Sequence, residues 1–178
     1  MKVRYFILTL FLTFNFTLSA QGDTRQTDIL NYLTINGTHE QYGDAYEQMF
    51  EVIKQQFAGA EVPSSVWVEL KQTKSDEVQK IVVLLSSAYR KHFSGDDITA
   101  MLTFYKTDAG KQMMANMGGM SQEQNKELTA YLMSDVGKKL DAVRPELVQD
   151  ISQISEYWSR DLFMDTRKKL IEKGYAAN

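Results

Sequence analysis

A run of methionines is the part of this sequence whose side chains come closest to a ligand set. Met114, Met117 and Met120 follow one another at spacings of three residues. Thioether sulfur is a soft ligand that suits Cu(I), so these residues form a candidate soft-metal site. Methionine also fills gaps in helical cores, and Gly118-Gly119 interrupts the helix before Met120. The sequence favours packing over the metal site, and we expect no cofactor.

The two histidines, His39 and His92, are the other candidate metal ligands. Asp96 and Asp97 follow His92 closely, which makes a partial ligand set. A zinc site usually needs three or four converging ligands, and this set falls short of that requirement. The pattern is more typical of a surface histidine near the end of a helix.

Paired carboxylates are the remaining candidates for chemistry. Asp96-Asp97, or Glu123 with Glu127, could perform the acid–base work of a hydrolase if they faced each other across a cleft. Acids on exposed helix faces are common, however. The chain has no cysteine, no nucleophile elbow and no glycine-rich phosphate loop. We therefore name no catalytic residue and expect a protein that is not an enzyme.

The N-terminal segment has the pattern of a secretory signal peptide, which we assign to residues 1–20. Lys2 and Arg4 precede an apolar run over residues 5–18, and small residues then allow cleavage before Gln21. The run is shorter than the roughly 20 residues that a membrane-spanning helix needs. We expect a secreted protein, periplasmic if the source is a Gram-negative bacterium.

Residues 21–178 have the length of one domain. The full chain carries 20 Lys and Arg against 23 Asp and Glu, a net charge of −3. Nucleic-acid binding is unlikely for such a chain, because it usually needs a basic face. After the signal peptide there is no further long apolar run, so we expect no membrane span. The expected partner is a protein or a second copy of the chain.

Apolar spacing and capping residues predict an all-α, single-domain bundle of about seven or eight helices. Ile81–Leu85 taken alone could be a buried strand, but its helical flanks favour a central helix. Pro145 is expected to end or kink a helix near Val143. A long amphipathic helix is predicted from Glu146 to Lys173.

A short module occurs twice. Leu102–Met113 reappears as Leu128–Leu140, with one extra residue between the tyrosine and the serine of the second copy. The pattern predicts a helix–corner–helix unit in which Thr107 and Ser134 cap the second helix.

Each cap is followed three residues later by a glycine, Gly110 or Gly137. We expect these glycines to allow close approach of a neighbouring group, most simply the preceding tyrosine. For the second copy two alternatives stay open: a corner, or one continuous helix.

The segment Phe104-Tyr105-Lys106-Thr107-Asp108-Ala109-Gly110-Lys111 resembles the bacterial domain-of-unknown-function family 2059. The resemblance extends over residues 85–165 and implies a small secreted or periplasmic helical protein without established catalytic residues. Asp108 departs from the family, which often has proline there, and the second copy is placed like an insertion. The motif residues are read as structural: Phe104, Tyr105, Thr107, Gly110, Lys111, Tyr131, Ser134, Gly137, Pro145 and Trp158.

Tyr157 and Trp158 form a candidate contact surface. Neighbouring side chains point about 100° apart on a helix, so one of the two can face solvent. The leading hypothesis is a non-enzymatic interaction or accessory protein of the cell envelope. The alternative is a binder of a small ligand or of Cu(I) in a groove lined by methionine and aromatic residues, and a hydrolase is the third possibility.

Overall fold

The computed structural model describes the backbone of residues 17–176 and the side chains of residues 24–176. Most of the predicted signal peptide, residues 1–20, lies outside the described residues. Eight α-helices and two single-turn 3₁₀ helices follow one another without a strand in this part of the chain. The α-helices are α1 (Thr17–Ile35), α2 (Thr38–Gln56), α3 (Ser64–Lys71), α4 (Lys74–His92), α5 (Gly95–Lys106), α6 (Asp108–Asn116), α7 (Gln122–Met133) and α8 (Asp135–Glu172). The predicted all-α fold is confirmed.

Helix α4 is the centre of the bundle. It packs against α1, α2 and α8, and its inner face contributes six buried apolar residues. Ile81 and Leu85 belong to this face and are almost completely buried. The segment that could have been a strand is therefore helical, because burial on several sides suits a helix with a wide apolar face. These inner residues are Val78, Ile81, Val82, Leu85, Ala88 and Tyr89.

Helix α1 lies across α4 and α5 and is held by both packing and polar contacts. Ile29 and Leu33 are fully buried in the core. The Arg25 guanidinium donates hydrogen bonds to the carbonyls of Arg90 and Phe93. These carbonyls lie at the C-terminal end of α4, where no further helical N–H groups can satisfy them.

Helix α8 has 38 residues and continues through Pro145. The predicted helix end near Val143 is therefore wrong. Proline removes one N–H donor and crowds the carbonyl four residues earlier, but the helix packs on the core on both sides of it. Val143 before Pro145 and Leu147 after it both contact the core cluster. Tertiary packing thus compensates for the local defect.

Both copies of the repeated module form corners. α5 ends where Thr107 begins α6, and α7 ends where Ser134 begins α8. The alternative of one continuous helix in the second copy is excluded. Among the described residues, none of the helices is both long and apolar enough to span a bilayer.

Candidate functional site

The two corners have the same hydrogen bonds. The Thr107 hydroxyl donates to the Phe104 carbonyl (2.9 Å) and accepts from the Gly110 N–H (3.1 Å). The Ser134 hydroxyl does the same with the Tyr131 carbonyl (2.6 Å) and the Gly137 N–H (3.3 Å). Each of the two residues is therefore the C-cap of the preceding helix and the N-cap of the next one.

This equivalence changes the register of the repeat. Counted back from the cap, Tyr131 stands in the position of Phe104, whereas the sequence pattern pairs it with Tyr105. α5 and α7 each have 12 residues, and their capping serines Ser94 and Ser121 stand equally far before Thr107 and Ser134, so the structural repeat contains no extra residue. The corner itself has no insertion.

Close approach at the two glycines involves backbone. A Cβ atom at Gly110 would lie 2.2 Å from the Phe104 carbonyl oxygen, and one at Gly137 would lie 2.3 Å from the Tyr131 carbonyl oxygen. The expected close approach is present. Of the two groups expected, a neighbouring helix or a side chain, the backbone of the preceding helix makes the approach and the tyrosine side chain does not, because the corner folds the new helix onto the last turn of the preceding one.

Equivalent aromatic rings of the two corners stack on each other. The ring centroids of Phe104 and Tyr131 are 4.0 Å apart, with 4° between the ring planes. The Tyr131 hydroxyl is buried and has no hydrogen-bond partner in the part of the chain that the structure describes. Burial, together with the nearby Tyr105, raises the pKa of the Tyr131 phenol to about 12. The stack fixes α7 against α5.

A groove of about 530 Å³ runs between α5 and α7 and ends at this stack. We call it the acidic groove, because it includes the carboxylates of Asp96 and Glu127 and no lysine or arginine. Neither carboxylate has a hydrogen-bond or ion-pair partner among the described residues. The other lining residues give a mostly apolar surface: Thr99, Ala100, Thr103, Phe104, Thr107, Ala130 and Tyr131.

The threonines of α5 increase the apolar character of the acidic groove. The Thr99 hydroxyl donates to the Gly95 carbonyl, and the Thr103 hydroxyl donates to the Thr99 carbonyl. Their hydrogens are therefore used within the helix. What remains available to a ligand is methyl surface and hydroxyl lone pairs.

Tyr105, the neighbour of Phe104, faces a different part of the molecule. Its ring lies edge-on to Tyr32 of α1, with centroids 5.3 Å apart. Burial raises the pKa of both phenols, and Tyr89 and Tyr105 raise that of Tyr32 further. Tyr105 also lines a second cavity, between the α1–α2 joint and the first corner. The Phe-Tyr pair of the sequence motif thus contributes one ring to each cavity.

The two residues of the predicted contact surface lie in different environments. Tyr157 is 59% exposed, and the Arg160 guanidinium lies over its ring. Trp158 is buried against Tyr42, and its indole N–H donates to the Glu77 carbonyl. Only Tyr157 is available for a contact, and that role stays a prediction.

The methionines of the predicted soft-metal site differ in their surroundings. Met117 is largely exposed, and Met120 follows the 3₁₀ turn Met117–Gly119. The methyl end of Met114 is directed at Gly37, because a Cβ there would lie 2.9 Å from it. This contact connects α6 with the α1–α2 joint, while 43% of Met114 stays exposed, and the soft-metal role stays a prediction.

The partial histidine–aspartate set is not assembled. His92 Nε2 lies 2.7 Å from an Asp150 carboxylate oxygen of α8. Asp97 caps α5 together with Ser94 and binds Lys139. Within the described residues, no group of three or more His, Cys, Asp or Glu side chains is placed to hold a metal ion.

Sequence reasoning missed that Asp96 and Glu127 line the same groove. It considered each acid with a neighbour on its own helix, whereas the groove joins acids from two helices. One local indication was present. Thr99, Ala100 and Thr103 form a surface of small side chains on the outer face of α5, which leaves room for a ligand.

Comparison with known proteins yields one family match. No curated protein and no solved structure matches the chain. The model of a family described as "Uncharacterized protein conserved in bacteria (DUF2059)" matches residues 79–129, less than a third of the 178 residues. The match contains the α5 side of the acidic groove and Glu127, but not Pro145 or Trp158. Residues 79–129 are therefore similar to this family of uncharacterized bacterial proteins, as the motif of the first corner predicted.

Proposed function

We propose that this chain is a non-enzymatic interaction protein of the cell envelope and that the acidic groove is its binding site. The observation that carries the proposal is the combination of an apolar groove with two unpaired carboxylates. Burial of apolar surface contributes about 25 cal/mol for each Å² removed from water. The groove thus supplies affinity through its walls and selectivity through its charge.

The chemistry of the groove indicates a basic, apolar segment of a partner protein as the occupant. Asp96 and Glu127 favour a lysine or arginine head group, and the threonine methyls and Ala130 suit the aliphatic stem of such a side chain. The two capped corners hold both walls in place before binding. Such preorganisation lowers the entropic cost of association.

The proposed compartment rests on the N-terminal sequence. A charged start, an apolar run and small residues before Gln21 support export. The absence of cysteine allows the exported chain to remain independent of disulfide formation.

A cross-linking pull-down from the native envelope tests the proposal. Ala130→Trp fills the groove with a large ring, and Val68→Trp places the same ring on an exposed position of α3. We expect a specific partner that is retained by Val68→Trp and by wild type but lost with Ala130→Trp. Asp96→Asn combined with Glu127→Gln should weaken the same partner most strongly at low salt.

Two results would contradict the proposal. The first is turnover of a substrate by the purified protein that is abolished by Asp96→Asn or Glu127→Gln, which would favour the hydrolase hypothesis. The second is stoichiometric Cu(I) binding that is lost in Met114→Leu with Met117→Leu, while the pull-down finds no partner.

A further inference from the structure

A second cavity, of about 440 Å³, lies on the other side of the first corner. We call it the lysine cavity. Its walls come from α1, the α1–α2 joint, α2, α5 and α6. A volume of this order suits a small molecule. The cavity shares no lining residue with the acidic groove, so its occupant is independent of the proposed function.

Three exposed charged residues line the lysine cavity. Lys106 is the last residue of α5, Lys111 belongs to α6, and Glu40 lies in the first turn of α2. None of the three has an ion-pair or hydrogen-bonded side-chain partner among the described residues. Glu47 of α2, by contrast, is paired with Lys71 of α3 and Lys74 of α4.

The remaining walls of the lysine cavity are largely apolar. Ile35, Tyr105, Met114 and Ala115 contribute side chains from three helices. The Thr34 hydroxyl donates to the Leu30 carbonyl, so it offers a ligand only an acceptor. A ligand therefore meets cations, one carboxylate and an apolar wall.

We propose that the lysine cavity binds a small zwitterion with an apolar body, of the class of apolar amino acids and dipeptides. The ligand carboxylate lies at Lys106 and Lys111, its ammonium group at Glu40, and its side chain against Ile35 and Met114. Two lysines against one glutamate leave the site cationic, which favours the carboxylate end. Amino acid and dipeptide share this chemistry and differ in length.

Calorimetric titration of the full-length protein with four probes tests the charge pattern. Leucine and leucyl-leucine carry both charges, hexanoate carries only the carboxylate, and hexylamine carries only the ammonium. We expect saturable binding of at least one zwitterion, with hexanoate about tenfold weaker and hexylamine without binding, since each of these probes lacks one of the two charged contacts. The better of the two zwitterions distinguishes amino acid from dipeptide.

Matched variants test whether the zwitterion binds in the lysine cavity. Lys111→Gln should weaken binding of the zwitterion by about tenfold or more. Lys138→Gln should leave it unchanged, because Lys138 has the equivalent position in the second corner and does not line the lysine cavity. Glu40→Gln should abolish the preference for the zwitterion over hexanoate. Thermal melting of each variant checks that it is folded.

Three outcomes would overturn the inference. One is no saturable binding of any probe at millimolar concentration. Another is equal binding of leucine and hexanoate that Glu40→Gln does not change, which would leave a simple anion site. The third is binding that Lys111→Gln and Lys138→Gln affect equally.

Discussion

Gly110 and Gly137 are positions at which a side chain has no room. The nearest atoms to a Cβ there are backbone carbonyl oxygens, which are fixed by their own hydrogen bonds to the cap residues. A flexible side chain could move away, whereas a hydrogen-bonded carbonyl in the last turn of a helix cannot without opening the corner. The repeated glycine is therefore a requirement of the corner.

Gly110→Ala and Gly137→Ala should each lower the free energy of unfolding by at least about 2 kcal/mol, because the backbone must shift. Gly95→Ala is the control. A Cβ at Gly95 would meet nothing within 4 Å, and alanine stabilises a helix relative to glycine by about 0.5–1 kcal/mol. Urea unfolding measures the free energy of unfolding of all three variants. Equal effects at the three positions would contradict the account of the corners.

The Tyr131 hydroxyl is buried without a partner, so it costs stability. Tyr131→Phe keeps the ring stack and should leave the free energy of unfolding unchanged or raise it by up to about 1 kcal/mol. Phe104→Ala removes the stack and should lower it by about 3–5 kcal/mol. A marked loss in Tyr131→Phe, measured by urea unfolding, would mean that the hydroxyl has a partner.

We expect Tyr89 to make the stability of the protein depend on pH in the alkaline range. Burial, with a smaller effect of neighbouring tyrosines, raises the pKa of its phenol to about 12. The folded state therefore favours the neutral phenol. Tyr89 contributes fully to the free energy of unfolding below a pH of about 10, the pKa of tyrosine in the unfolded chain. This contribution is lost as the pH rises from there to about 12.

Over that interval Tyr89 should lower the free energy of unfolding by roughly 1.4 kcal/mol per pH unit. In Tyr89→Phe the decline should be shallower by that amount. Urea unfolding at a series of alkaline pH values measures both slopes. Identical slopes for wild type and variant would show that Tyr89 does not carry the effect.

At the scale of elements, α8 shows how packing overrides local sequence. Pro145 leaves the Asp141 carbonyl without its helical N–H donor and crowds it, yet the helix continues. Pro145→Ala should restore that bond. It also increases the freedom of the unfolded chain, by about 0.4–1 kcal/mol.

We therefore expect Pro145→Ala to raise the free energy of unfolding by about 2 kcal/mol. This value is the energetic cost of a proline inside a helix minus the entropic gain of the unfolded chain when proline is replaced by alanine. Glu146→Ala, an adjacent exposed position, should change it by less than about 0.5 kcal/mol. Thermal and urea unfolding measure the variants. A decrease in Pro145→Ala would mean that the bundle needs proline at this position.

Local patterns were sufficient to predict the all-α class and the caps of the two corners, but not the course of α8 through Pro145. Thr107 and Ser134 cap α6 and α8 as their spacing suggested. Each of these features lies within a few residues of sequence. The acidic groove could not be predicted in this way, because Asp96 and Glu127 come together only when α5 and α7 are placed side by side.

For the whole molecule, ion pairs on the surface connect helices that are distant in the sequence. Hydrogen bonds from Lys71 and Lys74 hold the pKa of the Glu47 carboxyl below its ordinary value, and those from Lys91 and His92 do the same for Asp150. α8 is attached to the other helices along much of its length. Its contacts are Lys139 with Asp97, Asp150 with Lys91 and His92, and Lys173 with Glu69.

The core contacts of α1 lie beyond the predicted cleavage position. Its buried side chains that the structure describes are Ile29, Tyr32 and Leu33, and Arg25 binds the end of α4. All four residues follow Gln21. Removal of residues 1–20 therefore leaves these contacts intact, although α1 itself begins at Thr17.

We expect the chain that begins at Gln21 to unfold in urea with the same free energy as the full chain. Arg25→Ala in the shorter chain is the control, and it should be less stable by about 1–3 kcal/mol, because the α4 carbonyls lose a charged donor. Expression with the native leader, followed by N-terminal sequencing, shows whether cells make the shorter chain. A clear loss of stability on removal of residues 1–20, or an intact Met1 in the exported protein, would argue against a cleaved signal peptide and for a leader that belongs to the folded domain.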